Sequence, residues 1–130
     1  MKKTKTILRW IFALIFVAAG ILHFVRSEVF VRIVPPVLPF PLFLVYLSGV
    51  FEIILGVTLL IPAFTRYAAW GLIALLIAVF PANIYMALNP QLFPDISLPL
   101  LYLRLPFQFV LIAWAYWLTT GTQKSHIRRF

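Results

Sequence analysis

The chain of 130 residues has no cysteine and only three acidic residues, Glu28, Glu52 and Asp95. Without cysteine there is no disulfide framework, no thiol redox pair, no thiolate metal site and no cysteine nucleophile. Charged residues make up 11% of the chain, whereas soluble domains carry about a quarter. So little charge cannot cover a water-facing surface, and a soluble globular domain is excluded. Disorder is excluded by the same numbers, because it requires low hydrophobicity. There are two histidines, His23 and the tail residue His126, too few for a multi-histidine metal or haem site. No GxSxG, HExxH, Walker loop or GxGxxG occurs, and no Gly-x-x-x-Gly pair or internal repeat is found.

What the chain does have is apolar length. Hydrophobic residues make up 64% of it and the mean hydropathy is +1.05. Four apolar runs, approximately residues 7–24, 42–62, 67–88 and 100–120, each approach the roughly 20 residues that a bilayer span requires. Backbone groups in hydrocarbon must be paired within the segment, so these runs are expected to be helices. The fold class expected is an all-α membrane protein, a four-helix transmembrane bundle forming one domain over residues 1–130.

Eleven basic residues give a net charge of +8. Lys2, Lys3, Lys5 and Arg9 sit at the N-terminus, and Lys124, Arg128 and Arg129 at the C-terminus. Charge placed this way reads as the positive-inside bias of a membrane protein and not as a nucleic-acid surface. Two basic termini favour an even number of spans. The short turn Pro62–Arg66 then belongs on the cytoplasmic side, and the proline-rich loops 25–41 and 89–99 lie outside. An N-in, C-in topology follows, with both termini cytoplasmic. The first run resembles a signal peptide in its charge, but it exceeds a usual h-region and no clean A-x-A site follows, so it is expected to be retained.

Polar residues inside spans are costly and are functional candidates by default. At about 1.5 Å of rise per residue, five of them fall at the outer edge or in the outer half: His23, Glu52, Asn83, Arg104 and Gln108. Arg104 and Gln108 are four apart and share a helix face. Gly49, Glu52 and Gly56 also share a face, and Gly20 with His23 repeats the arrangement on the first helix; these glycines are read as helix-packing positions. Pro81 and Pro106 interrupt helix hydrogen bonding beside Asn83 and between Arg104 and Gln108. Pro35, Pro36, Pro39 and Pro41, with Pro90, Pro94 and Pro99, stiffen the outer loops, which are placed to form a lid over the polar zone.

Three readings of the polar set remain open. The first is structural: Glu52 pairs with Arg104 or Arg26, while Asn83 and Gln108 cap backbone groups near the prolines. The second is an outward-opening pocket for a lipophilic ligand, with Arg104 and Asn83 donating to ligand oxygens and Glu52 as charge partner or proton acceptor. The third is proton-coupled transport through Glu52.

The segments Ala19-Gly-Ile-Leu-His-Phe24, Ile33-Val-Pro-Pro36, Ser48-Gly-Val-Phe-Glu52 with Gly56, Pro62–Arg66, Phe80-Pro-Ala-Asn-Ile-Tyr-Met86 and Arg104-Leu-Pro-Phe-Gln108 resemble the DoxX family of small bacterial membrane proteins. The resemblance spans roughly residues 18–118. It implies a four-helix transmembrane bundle in the bacterial inner membrane, with its motif positions at Gly20, His23, Gly49, Glu52, Gly56, Pro81, Asn83, Arg104 and Gln108. It further implies a role beside membrane redox systems. Lacking cysteine and any flavin or nucleotide motif, this chain would act there through a partner protein or a bound quinone. The expected function is therefore binding of a lipophilic small molecule, a quinone or a lipid, or service as an accessory subunit. No catalytic residue is assigned, and the chain is not expected to be an enzyme by itself.

Overall fold

The computed structural model describes residues 2–120; Lys124, His126, Arg128 and Arg129 lie outside the described residues. Among the described residues there are five α-helices and no strand. They are α1 (Lys2–Val25), α2 (Ser27–Val31), α3 (Pro41–Leu59), α4 (Thr65–Leu88) and α5 (Leu98–Leu118). Two 3-10 turns, Pro62–Phe64 and Pro90–Leu92, precede α4 and follow it. The segments Lys3–Val25, Pro41–Leu59, Pro62–Leu88 and Leu98–Leu118 are each long and apolar enough to cross a bilayer. The chain is thus a helical, multi-pass membrane protein. Its abundant exposed apolar side chains, such as Leu14, Phe51, Ile77 and Phe109, are what a lipid-facing surface requires.

Proline sets the starts of the helices. Pro41 stands in the first turn of α3, where its missing N–H costs nothing. Phe40 before it takes the left-handed conformation at φ 52°, although a following proline favours extended backbone. A side chain in that region costs about 1–2 kcal/mol, so the sharp entry into α3 is a strained corner. Pro62 and Pro99 stand at equivalent starts. The interior prolines Pro81 and Pro106 do not end their helices; α4 and α5 run through both. Asn89 closes α4 by donating from Nδ2 to the Tyr85 carbonyl at 2.9 Å.

Helix α1 packs chiefly on α3, α3 on α4, and α4 on α5. Side chains complete the circuit: Phe12 of α1 meets Trp114 of α5 edge-on at 4.9 Å between ring centroids. The α1–α3 contact is antiparallel and close. A methyl placed on Gly20 would lie 2.7 Å from the Gly49 carbonyl oxygen, and one on Gly56 would lie 3.1 Å from that of Ala13. Only glycine permits backbones to approach this far.

Two apolar clusters sit at opposite ends. The larger joins Phe12, Ala13, Phe16, Leu59, Ala68, Ala69, Leu72, Ile73, Leu76, Ala115 and Leu118. It fills the half of the bundle where Lys5 of α1 donates to Thr120 after α5. Arg9 donates to Thr65 at 3.2 Å in that half, and Thr65 in turn bonds the Leu59 carbonyl at 2.9 Å. The smaller cluster, Met86 and Phe93 with Ile33, Tyr85 and Ile96, lies at the other end beneath the long loops. Arg32 in the first loop pairs with Asp95 in the second at 3.1 Å and lies 5.6 Å from the Phe93 ring centroid. The two loops are therefore clasped to each other. The proline pattern gave no sign of α2, a five-residue helix that fits ahead of Pro35 because its own residues contain no proline.

Candidate functional site

Between the two apolar clusters the bundle interior turns polar, and the five polar residues fall into two groups on different helix pairs.

The first group lies between α1 and α3. The antiparallel register set by Gly20 and Gly49 brings His23 beside Glu52, with Nδ1 3.1 Å from Oε2. The same Nδ1 is 2.7 Å from the Ala19 carbonyl oxygen one turn back. A ring nitrogen carries at most one proton. Here the carbonyl takes it, and the buried Oε2 of Glu52 makes no hydrogen bond. Ser48, one turn before Glu52 on α3, also has a buried and unbonded hydroxyl. Phe30 of α2 stacks on the His23 ring at 3.9 Å between centroids, so the short helix covers this group. Glu52 is eleven residues from the start of α3, about 16 Å along the helix.

The second group lies between α4 and α5 and forms a relay. Arg104 Nε donates to Asn83 Oδ1 at 3.3 Å. Asn83 Nδ2 donates to Gln108 Oε1, and Gln108 Nε2 donates to the Leu76 carbonyl. Gln108 is buried, 2% exposed, which fixes the inner end of the relay. Asn83 and Arg104 are half-buried. Arg104 is six residues into α5, about 9 Å from its start, within the membrane-spanning segment. Its Nη1 and Nη2 make no hydrogen bond or ion pair among the described residues.

These contacts correct one expectation and narrow another. Glu52 pairs with neither Arg104 nor Arg26; it faces His23, because α1 and not α5 packs on its face of α3. Arg26 pairs instead with Glu28, two residues on, at 3.2 Å. Asn83 gives one amide N–H to Gln108 and receives Arg104 on its oxygen, which leaves its second N–H outside these contacts. Gln108 bonds a backbone carbonyl near a proline, that of Leu76, five residues before Pro81. The His23–Glu52 pairing had a visible signal: Gly-x-x-His on α1 and Gly-x-x-Glu on α3 are matching faces. Ser48 and Phe30 carried none.

The loop-end charges lie outside the spans. The Glu28 carboxyl is held below the usual carboxylate range, first by its own backbone N–H and then by Arg26. Among the described residues no group of three or more metal-binding side chains occurs.

Four apolar helices enclosing a divided polar layer define a small helical membrane protein with a polar interior near one end. Residues 12–119 match the family described as Domain of unknown function (DUF8561), and the chain belongs to that family. No curated protein and no solved structure matched the chain.

Proposed function

We propose that this protein is a DoxX-type component of the bacterial inner membrane, with both termini cytoplasmic, that binds a lipophilic small molecule in the outer half of its bundle. The ligand class is a quinone or a lipid, and the protein serves a membrane redox system as an accessory subunit. The observation that carries the binding reading is the polar layer itself. Side chains that could have extended the apolar core are replaced there by Glu52, Ser48, Asn83, Arg104 and Gln108, and the Glu52 Oε2, the Ser48 hydroxyl and the Arg104 Nη nitrogens make no hydrogen bond among the described residues. Sites for lipophilic ligands combine apolar walls with a few polar groups in this way. Arg104 supplies donors suited to a quinone carbonyl or a lipid headgroup oxygen. The topology is supported by the basic residues gathered at the Lys5 end.

Native mass spectrometry of the mildly solubilised protein tests the reading. Wild type is compared with an Arg104→Ala, Glu52→Gln double variant. A defined small-molecule adduct on wild type alone is expected. A bare chain in both samples, or the same protein companion in both, contradicts a ligand pocket.

A further inference from the structure

The three acidic side chains all lie among the described residues, and none of them forms an ion pair with Arg104. Glu28 is taken by Arg26, Asp95 by Arg32, and Glu52 faces His23. Each pairing is fixed by the fold: the first by sequence proximity, the second by the loop clasp, the third by the Gly20–Gly49 contact. Arg104 therefore carries its charge into a membrane-spanning segment with no carboxylate beside it among the described residues. An unpaired charge at membrane depth is strongly disfavoured, and intramembrane arginines ordinarily have a partner.

The guanidinium is also oriented. Leu76 anchors Gln108, Gln108 holds Asn83, and Asn83 accepts from Nε. That leaves both Nη nitrogens, with four N–H donors between them, outside any contact within the described residues. A guanidinium held at Nε with its remaining donors unused matches an oxygen anion.

We propose that Arg104, positioned by Asn83 and Gln108, is an anion-binding site whose ligand bears a phosphate or carboxylate head. This deepens the binding reading above and rests on it for the lipophilic tail. It favours an acidic amphiphile over a neutral quinone, because only an anion neutralises the charge. Asn83 and Gln108 act here as positioning residues.

The test uses the full chain in neutral detergent with five probes: dioleoyl phosphatidate, dioleoyl phosphatidylcholine, oleate, menaquinone and inorganic phosphate. Binding is read by adduct formation in native mass spectrometry and by the shift in Tm. The proteins are wild type, Arg104→Gln, Arg104→Lys and the exposed control Arg26→Gln. Phosphatidate or oleate is expected to bind wild type at least about tenfold more tightly than menaquinone does, the scale of one charge-assisted hydrogen bond. Arg104→Gln is expected to lose that margin, Arg104→Lys to keep part of it, and Arg26→Gln to keep all of it. Phosphatidylcholine separates net charge from the phosphate group alone, and tighter binding of phosphatidate supports the anion. Inorganic phosphate separates a soluble anion from a lipid headgroup. If it alone binds through Arg104, the anion site stands and the lipophilic reading fails. If menaquinone binds as tightly as the acidic lipids, the lipophilic reading stands and the anion site fails. Acidic-lipid binding unchanged in Arg104→Gln, or no binding by any probe, also overturns the proposal.

Discussion

The two halves of this bundle hold together by different means. At the Lys5 end, α1, α3, α4 and α5 all contribute to one apolar cluster, with Phe12, Leu59, Leu72 and Leu118 at 0–1% exposure. Toward the loop end the same helices present His23, Glu52, Asn83, Arg104 and Gln108, and a second apolar cluster appears only beneath the clasped loops. In a bilayer, apolar packing carries no hydrophobic advantage over lipid, so association rests on close fit and interhelical hydrogen bonds. The first half relies on fit. The second relies on hydrogen bonds that satisfy some of its polar atoms and leave others open. Buried polar atoms without a hydrogen bond occur in both halves, on Ser48 and Glu52 in the second and on Arg9 and Trp114 in the first; what sets the second half apart is the Arg104 guanidinium, whose Nη nitrogens make no hydrogen bond or ion pair among the described residues.

Variants can break or sharpen this contrast. Phe12→Ala empties the packed half and should lower unfolding stability in detergent by about 3–5 kcal/mol, measured by denaturant or thermal unfolding. Gly20→Ala presses a methyl against the Gly49 carbonyl; overpacking that only backbone movement can relieve should cost about 1–3 kcal/mol. It should also disturb the His23–Glu52 pair, which a proton NMR signal of the His23 ring would register. In the polar half, a double-mutant cycle of Asn83→Ala and Gln108→Ala should give a coupling of about 0.6–1.7 kcal/mol. A coupling well above that would make the relay a structural element and narrow the difference between the halves. The loop clasp should matter least among the contacts: Arg32→Ala or Asp95→Ala should change stability by less than about 1 kcal/mol, and added salt should shrink the effect. Smallest is the acid response of Glu28. Its carboxyl lies below the usual range in the folded chain, so its contribution is present at neutral pH and is lost only as pH falls through that lowered value. Replacement by Gln should remove that part of the acid sensitivity of α2, read by hydrogen exchange.

Much of the fold was legible because apolar length is a strong signal. The four spans appear where the runs predicted them, with ends displaced by a few residues: the first helix begins at Lys2, and the second ends at Leu59, before the turn at Pro62. Helix ends follow local proline chemistry and hydrogen bonding, which hydropathy does not see. Position along each helix follows from the fixed rise per residue. Partner choice was legible only as far as the matching Gly-x-x-His and Gly-x-x-Glu faces. Glu52 faces His23 because of helix order and rotation, which depend on the Gly20–Gly49 approach and not on either polar residue. Arg32 and Asp95 meet across 63 residues of sequence through the folding of two loops that have no periodic pattern. Helix α2 spans barely more than one turn, too short for periodicity to reveal.

On the binding proposal, the packed half stabilises the fold and the Arg104 half receives the ligand. The most direct measurement is thermal unfolding in detergent of wild type, Phe12→Ala and Arg104→Ala, each delipidated and then supplied with dioleoyl phosphatidate. Phe12→Ala should unfold at a lower Tm than wild type yet keep the lipid-induced upward shift. Arg104→Ala should match or exceed the delipidated wild type and lose the shift. An Arg104→Ala protein that unfolds as early as Phe12→Ala and still responds fully to the lipid would contradict the account.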